Sequence, residues 1–169
     1  MIIEERVERS QYVKLITWIV SFIILMAGIV FPVLILWVNQ DMMSKVIGAS
    51  VLCLIFFTLI FTVAYQPRKL ILSETHIIME RILGQVYISY SDITDISLYH
   101  RENVAEIRIF GIGGLGGYIG KFYNSKIGFY TAYVGDYSQA FLIKINNREK
   151  YVMSCRHAEK IVEEVKSRL

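Results

Sequence analysis

The stretch GIGGLGGYIGKFYNSKIGFYTAY, residues 111–133, holds seven of the eleven glycines in the chain and six aromatic residues. Its first six residues have the spacing G-x-G-x-x-G, which occurs in nucleotide-binding loops and would indicate an enzyme. A dinucleotide loop needs its last glycine to begin a helix, whose N-terminus meets the pyrophosphate. Gly116 is followed instead by glycine and β-forming residues, and a P-loop would need other residues at Leu115 and Phe122. The sequence therefore predicts no nucleotide site here.

The glycines are better explained by the backbone conformations that they permit. Glycine adopts positive φ and allows close approach of another backbone. Residues Gly113–Gly117 are therefore predicted to let the strand that ends at Phe110 bend sharply. Residues 118–123 and 128–133 are then predicted to form a β-hairpin across the turn 124–127, with aromatic rings on both faces.

Three interpretations of this hairpin remain open on sequence alone. It can pack on its own domain and cover an edge. It can touch the membrane, since Tyr and Phe favour the headgroup zone and Lys121 and Lys126 can meet lipid phosphates. It can also bind a protein or a second copy, because exposed aromatic residues are enriched at interfaces. Binding of nucleic acid is disfavoured by the low density of basic residues. The candidate binding surface comprises Arg68, Lys69, Tyr118, Lys121, Phe122, Tyr123, Lys126, Phe129 and Tyr130.

The first third of the chain predicts a membrane anchor. Hydrophobic residues make up 54% of the sequence, above the usual share of about 45–50% in soluble domains. Leu15–Val38 and Val46–Tyr65 are free of charge, and each is long enough to cross a bilayer, which takes roughly 20 residues. The first run exceeds the apolar core of a signal peptide. The two runs are thus predicted to form a transmembrane helical hairpin, joined by the linker 39–45.

Basic residues predict how this hairpin is oriented. Arg6, Arg9 and Lys14 precede it and Arg68 and Lys69 follow it, whereas the linker carries only Lys45. Loops rich in Lys and Arg remain in the cytoplasm. We therefore expect a multi-pass protein of the inner (cytoplasmic) membrane with both termini in the cytoplasm. The predicted organisation is a cytoplasmic N-terminal flank at 1–14, the transmembrane hairpin at 15–65 and a cytoplasmic domain at 66–169.

The cytoplasmic domain is predicted to be mainly β. Its net charge of +3 is mild, which favours an anionic leaflet without requiring contact. Residues 158–169 carry one apolar stripe at helical spacing and therefore predict a C-terminal amphipathic helix. A small antiparallel barrel of about seven strands, capped by this helix, would bury the stripe and most strand edges. Besides the hairpin, the short β-forming runs are 68–73, 76–82, 85–89, 92–99, 106–110, 140–145 and 149–154.

The chain combines two apolar helices, short strands, the segments Arg108–Asn124 and Ile127–Tyr133, and a final helix. This combination resembles the membrane-anchored bacterial pleckstrin-homology-like (PH-like) proteins. The similarity spans about residues 15–168. It implies a PH-like barrel of seven strands, capped by a helix and carried on a two-helix anchor. It also implies a function without catalytic residues.

The residue content disfavours a catalytic or metal site and predicts no cofactor. Cys53 lies in a predicted span, and the three histidines have unlike surroundings without zinc-site spacing. Cys155 and His157 are two residues apart, and side chains at that spacing point apart on a helix. We expect a non-catalytic binding or scaffolding module for a protein partner or an anionic membrane surface. A structural or self-associating subunit is the alternative, because Gly28, Gly48, Ala49 and Ser50 permit close helix contact.

Overall fold

The computed structural model describes residues 2–38, 41–101, 106–146 and 148–169. Two long helices lie near the start of the chain, α1 (Gln11–Val38) and α2 (Met42–Ala64). Both contain stretches long and apolar enough to cross a membrane. Each begins about four residues before the predicted uncharged run, since a helix tolerates a charge at its end. At α2 the carboxylate of Asp41 accepts the N–H of Ser44 at 2.8 Å and caps the first turn.

Ten strands and a third helix make up the rest of the described structure. One strand precedes the helices and the others follow them. The third helix, α3, spans Ala158–Lys166 and confirms the predicted C-terminal helix. The strands are β1 (Ile3–Arg6), β2 (Pro67–Leu72), β3 (His76–Arg81), β4 (Gln85–Ser89), β5 (Ile93–Leu98), β6 (Glu106–Gly113), β7 (Tyr118–Asn124), β8 (Gly128–Val134), β9 (Ala140–Ile145) and β10 (Lys150–Ser154).

The strands form two sheets, one ordered β1-β2-β3-β4 and one ordered β5-β9-β10-β8-β7-β6. The prediction of about seven antiparallel strands in a barrel is therefore not confirmed, because the pairings among the described residues leave both sheets open. The chain passes from one sheet to the other through a 3₁₀ turn at Tyr90–Asp92. The pair β8–β10 is parallel. The additional strand β1 comes from the predicted N-terminal flank and pairs with β2.

The main core lies where α3 and the two sheets meet. The apolar stripe of α3 contributes Ile161 and Val165, both 0% exposed, as the helical spacing predicts. Leu70 of β2, Met79 of β3 and Phe141 of β9 belong to the same buried cluster. Burial of these side chains accounts for most of the stabilisation, at roughly 1.5–3 kcal/mol for each large apolar residue.

A second core covers the opposite face of the six-stranded sheet. Neighbouring residues of a strand point to opposite faces. Met153 of β10 therefore joins the main core, whereas Val152 joins the second one. The second core is rich in aromatic rings, including Tyr99, Phe122 and Tyr130. The glycine–aromatic hairpin β7–β8 thus belongs to the domain's own packing on one of its faces.

Candidate functional site

The hairpin β7–β8 has a core face and an open face. Its register pairs Phe122 with Tyr130, and these residues are only 3% and 2% exposed. Their rings lie 5.8 Å apart in the second core. The prediction that Phe122 and Tyr130 belong to the binding surface is therefore wrong, because alternation along both strands directs these side chains into the second core.

Residues on the other face of the hairpin are accessible. Phe129 is 68% exposed, and its ring lies 5.0 Å from that of Tyr123. The exposed Lys121 donates a hydrogen bond from Nζ to Thr131 Oγ1 at 2.9 Å. The neighbouring strand β6 adds Ile107 opposite Tyr123 and Phe110 opposite Lys121. We call Ile107, Phe110, Lys121, Tyr123 and Phe129 the open face.

Sequence reasoning missed the two β6 members of this surface. Ile107 and Phe110 are 57% and 72% exposed, although the alternation of Glu106-Ile-Arg-Ile-Phe110 resembles that of a half-buried strand. They lie on the edge strand β6, and neither residue belongs to one of the two buried clusters. Nothing local in the sequence distinguishes an edge strand from a central one.

The two hairpin lysines lie at different levels of the domain. Lys126 is in the turn, where its backbone N–H donates to Asn124 Oδ1 at 2.8 Å. At about 3.3 Å per residue, this turn is roughly 20 Å along β7 from Tyr118. The Tyr118 end adjoins α1, because the nearby Gly116 binds Thr17 of that helix. Lys121 lies halfway between the two ends, so the lysines are not parts of one cluster.

Tyr118 is partly buried beneath a cation. The guanidinium carbon of Arg101 lies 5.0 Å from the ring centre of Tyr118 and 4.5 Å from that of Tyr137. Arg101 Nη2 also contacts Glu106 Oε1 at 3.0 Å. Burial raises the pKa of the Tyr137 hydroxyl above its ordinary value of 10.0. This arrangement fixes the end of β7.

The glycine-rich loop connects the β domain to α1. The N–H of Gly114 donates to the carbonyl of Gly117 at 2.9 Å, which closes the β6–β7 turn. The strand runs on to Gly113, so the predicted bend after Phe110 occurs three residues later. The N–H of Gly116 donates to Thr17 Oγ1 of α1 at 2.8 Å. The motif lies between two strands and binds a helix side chain, which is not the arrangement of a nucleotide loop.

A second contact connects the domain to α2. The N–H of Leu83, in the β3–β4 turn, donates to the carbonyl of Ala64 at 2.7 Å. The segment before α1 is also bound, because the N–H of Ser10 donates to the carbonyl of Gly135 at 3.2 Å. A Cβ on Gly135 would overlap the carbonyl of Glu8. The domain thus contacts both helices at the ends where they enter and leave it.

The predicted pair Arg68 and Lys69 belongs to a larger basic pocket. Arg6 lies opposite Lys69 in the β1–β2 register, and Arg9 follows nearby. These four residues line a surface pocket of about 510 Å³. Glu80 also lines it, and Lys69 Nζ contacts Glu4 Oε2 at 3.3 Å. Arg9 donates to Gln66 Oε1, which places the pocket beside the ends of both helices.

A second concavity, the junction cavity, lies between α2 and the open face. Its volume is about 230 Å³. The guanidinium of Arg81 lies between the rings of Tyr65 and Tyr133, 5.2 and 5.6 Å from their centres. The sequence did not predict these three residues as members of a site, because they come from separate elements. The other lining residues are Phe61, Phe110, Gly111, Ile112, Ile119, Gly120, Lys121 and Thr131.

No group of three metal-ligating side chains occurs within the described ranges. Cys155 is 1% exposed, and burial raises the pKa of its thiol to about 12. His157 directs Nδ1 to the carboxylate of Glu5 at 3.0 Å. A protonated, buried thiol is a poor nucleophile, since the thiolate is the reactive form.

We expect the Cys155 thiol to stay unreactive in the folded protein. In a Cys53→Ala variant at pH 8, an aromatic disulfide reagent should detect no thiol until denaturant is added. A Ser138→Cys control, whose site is exposed, should react at once. The thiol also stabilises the fold most fully below its ordinary pKa of 9.0, and this contribution declines as pH rises toward about 12. Fast reaction of Cys155 in the native state would contradict its burial.

Two β-sheets packed with a C-terminal helix define the fold class of the domain. Residues 68–169 match the model of the Bacterial PH domain family, and the chain belongs to this family. The match confirms the predicted resemblance to the bacterial PH-like proteins for the β domain. No curated protein and no solved structure matches the chain. PH domains are generally non-catalytic modules that bind lipids or proteins.

Proposed function

We propose that this protein is an integral membrane protein that holds its PH domain against the cytoplasmic face of the inner membrane as a binding or scaffolding module. The main observation is that the domain is hydrogen-bonded to both apolar helices. Gly116 binds Thr17 of α1, and Leu83 binds Ala64 of α2. The domain therefore has a fixed orientation relative to the helices and, through them, to the bilayer.

The exposure of the helices supports membrane insertion. Only 12% and 11% of the most apolar windows of α1 and α2 are buried, whereas the core helix of a soluble protein is mostly buried. Trp18 and Trp37 are 78% and 81% exposed. They lie about 28 Å apart along the helix at 1.5 Å per residue, which matches the separation of the two interfacial belts.

The basic pocket supports contact with an anionic leaflet. Arg6 and Arg9 precede α1, while Arg68 and Lys69 follow α2. The four cations thus lie next to the ends of both helices. Each Lys or Arg near an anionic surface adds about 1 kcal/mol of attraction. This charge supports the proposal that the pocket meets an anionic leaflet, and the open face is then available to a further ligand.

The alternative function, a self-associating subunit, receives less support from the helices. A Cβ on Gly28 would lie 2.6 Å from Ile55 Cδ1, so this glycine serves the contact between α1 and α2 of one chain. Gly48 of α2 is also buried. Neither residue marks a free helix-packing surface.

Labelling with a membrane-impermeant maleimide tests the anchoring and its orientation. The full chain is used, because β1 pairs with β2 and a shorter fragment would expose that edge. In a Cys53→Ala background, Lys160→Cys on α3 should be labelled only in inverted membrane vesicles. Lys45→Cys at the start of α2 should be labelled only in intact bacterial cells. The exposed Ser167→Cys serves as a matched control for Lys160→Cys. Labelling of both sites from one side, or recovery in the soluble fraction, would contradict the proposal.

A further inference from the structure

We propose that the junction cavity binds the phosphate-bearing headgroup of an anionic phospholipid from the bilayer in which the protein is anchored. This inference rests on the proposed function, and it adds a defined lipid site and its ligand class. The site is separate from the basic pocket, with which it shares no residue.

The position and size of the cavity fit a headgroup. Phe61 and Tyr65 form part of its wall, and they lie at the last turn and the C-terminal end of α2. The cavity therefore opens where the second predicted span ends. Its volume is about 230 Å³, well above the roughly 10–15 Å³ that a single ordered water requires. That space suits a glycerophosphate group and excludes the acyl chains.

An apolar surface leads from the span to the cavity. Phe57 and Phe61 have ring centres 6.3 Å apart, and Phe61 and Tyr65 have ring centres 4.4 Å apart. The three rings follow one face of α2 at a spacing of four residues. Phe57 is 68% exposed. Acyl chains can lie along this row while the headgroup enters the cavity, so both parts of a phospholipid are accommodated.

The charges of the cavity fit an anion. Arg81 and Lys121 both line it, no carboxylate does, and neither cation has an acidic partner in the described part of the chain. Arg81 Nε is buried without a hydrogen-bond partner. A buried polar group normally has one, and an anionic oxygen is the strongest acceptor for a guanidinium. The guanidinium is already held in place by Tyr65 and Tyr133, which reduces the entropy lost on binding.

The same charges select among phospholipids. A zwitterionic lipid brings a quaternary or primary ammonium group close to its phosphate, and Arg81 and Lys121 repel that cation. An anionic lipid such as phosphatidylglycerol carries no such group. The cavity is therefore expected to prefer anionic headgroups over zwitterionic ones of similar size.

Lipid retention by the full-length protein tests this inference. Detergent-purified protein is titrated with phosphatidylglycerol or phosphatidylcholine, and bound lipid is counted by native mass spectrometry. One phosphatidylglycerol should be retained about tenfold more tightly than phosphatidylcholine, as expected for one charge-assisted contact. Lys121→Gln should weaken the preference severalfold, because only Arg81 then remains to contact the phosphate. Lys126→Gln is the matched control, since it removes the same charge from the distant turn of the same hairpin and should leave the preference intact.

A fluorescence measurement tests the location of the lipid. Phe110→Trp introduces a reporter at the cavity of a Trp18→Phe, Trp37→Phe protein. Brominated phosphatidylglycerol should quench it more strongly than brominated phosphatidylcholine, and Lys121→Gln should reduce the difference. Unfolding curves establish that each variant is folded.

The possible outcomes separate this inference from the proposed function. Equal retention of both lipids, or an unchanged preference in folded Lys121→Gln, would overturn the lipid site. Displacement of the lipid by millimolar inorganic phosphate would assign the cavity to a soluble anion and also overturn it. Neither result affects maleimide labelling from opposite sides of the membrane, which tests the anchoring alone.

Discussion

Replacing Gly111 by alanine is expected to destabilise the protein by about 2–5 kcal/mol, because two penalties act at this position. Gly111 faces Gly120 in the β6–β7 register, and their φ angles are +120° and +124°. A side chain strains the backbone at such angles. A Cβ at Gly111 would also overlap the carbonyl oxygen of Ile119, which is backbone and cannot rotate away. Chemical unfolding in detergent, followed by circular dichroism, measures the effect.

Gly113→Ala is the control for this prediction. Gly113 lies in the same strand, its φ is outside the positive region, and the nearest atom to a new Cβ is Arg108 Nη1 at 3.4 Å. A flexible side chain can yield at that distance, so a change within about 0.5 kcal/mol is expected. Equal losses in both variants would show that the loop is generally intolerant of a methyl group. The close approach of Gly111 to β7 would then not be the reason.

Local patterns in the sequence predicted most of the individual elements. The uncharged runs indicate α1 and α2, and the apolar stripe at 158–169 indicates α3, because each periodicity is intrinsic to one helix. The hairpin 118–133 and its turn are also predicted locally, because two runs of glycine and aromatic residues flank one short stretch of turn residues. These features depend on neighbours within one element, which is the range over which a sequence pattern carries information.

Contacts between distant segments could not be predicted. The pairing of β1 with β2 joins residues more than sixty positions apart, and both long apolar helices lie between them. That pairing creates the basic pocket by bringing Arg6 to Lys69. The junction cavity likewise combines Arg81 of β3 with Lys121 of β7. Neither partner of such a pair carries a local signal of the other.

The division of the hairpin into two faces is an intermediate case. Alternation implies that Phe122 and Tyr123 point to opposite sides, but aromatic residues occupy both sides. The sequence therefore does not indicate which face is buried. The register and the position of β7 next to the edge strand decide it, and both depend on the order of strands in the sheet.

Replacing Arg101 by methionine is expected to destabilise the protein by about 2–4 kcal/mol, because it leaves the carboxylate of Glu106 buried without its cation. The side chain of Glu106 is only 5% exposed, whereas that of Arg101 is 40% exposed. The partial exposure of the arginine places the expected loss at the lower part of the range for buried pairs. The rings of Tyr118 and Tyr137 also lose the cation that lies over them.

A double-mutant cycle separates these two contributions. Glu106→Gln in the Arg101→Met protein removes the uncompensated charge, and we expect it to recover most of the lost stability. Arg101→Lys should recover less than the native arginine provides, because an ammonium group cannot lie flat on two rings while contacting a carboxylate. No recovery in the double variant would show that ring packing, and not charge, holds this end of β7. Tyr118 packs against the second core and follows directly after the glycine loop that binds Thr17, so in either case the second core and the contact with α1 are neighbours along the chain.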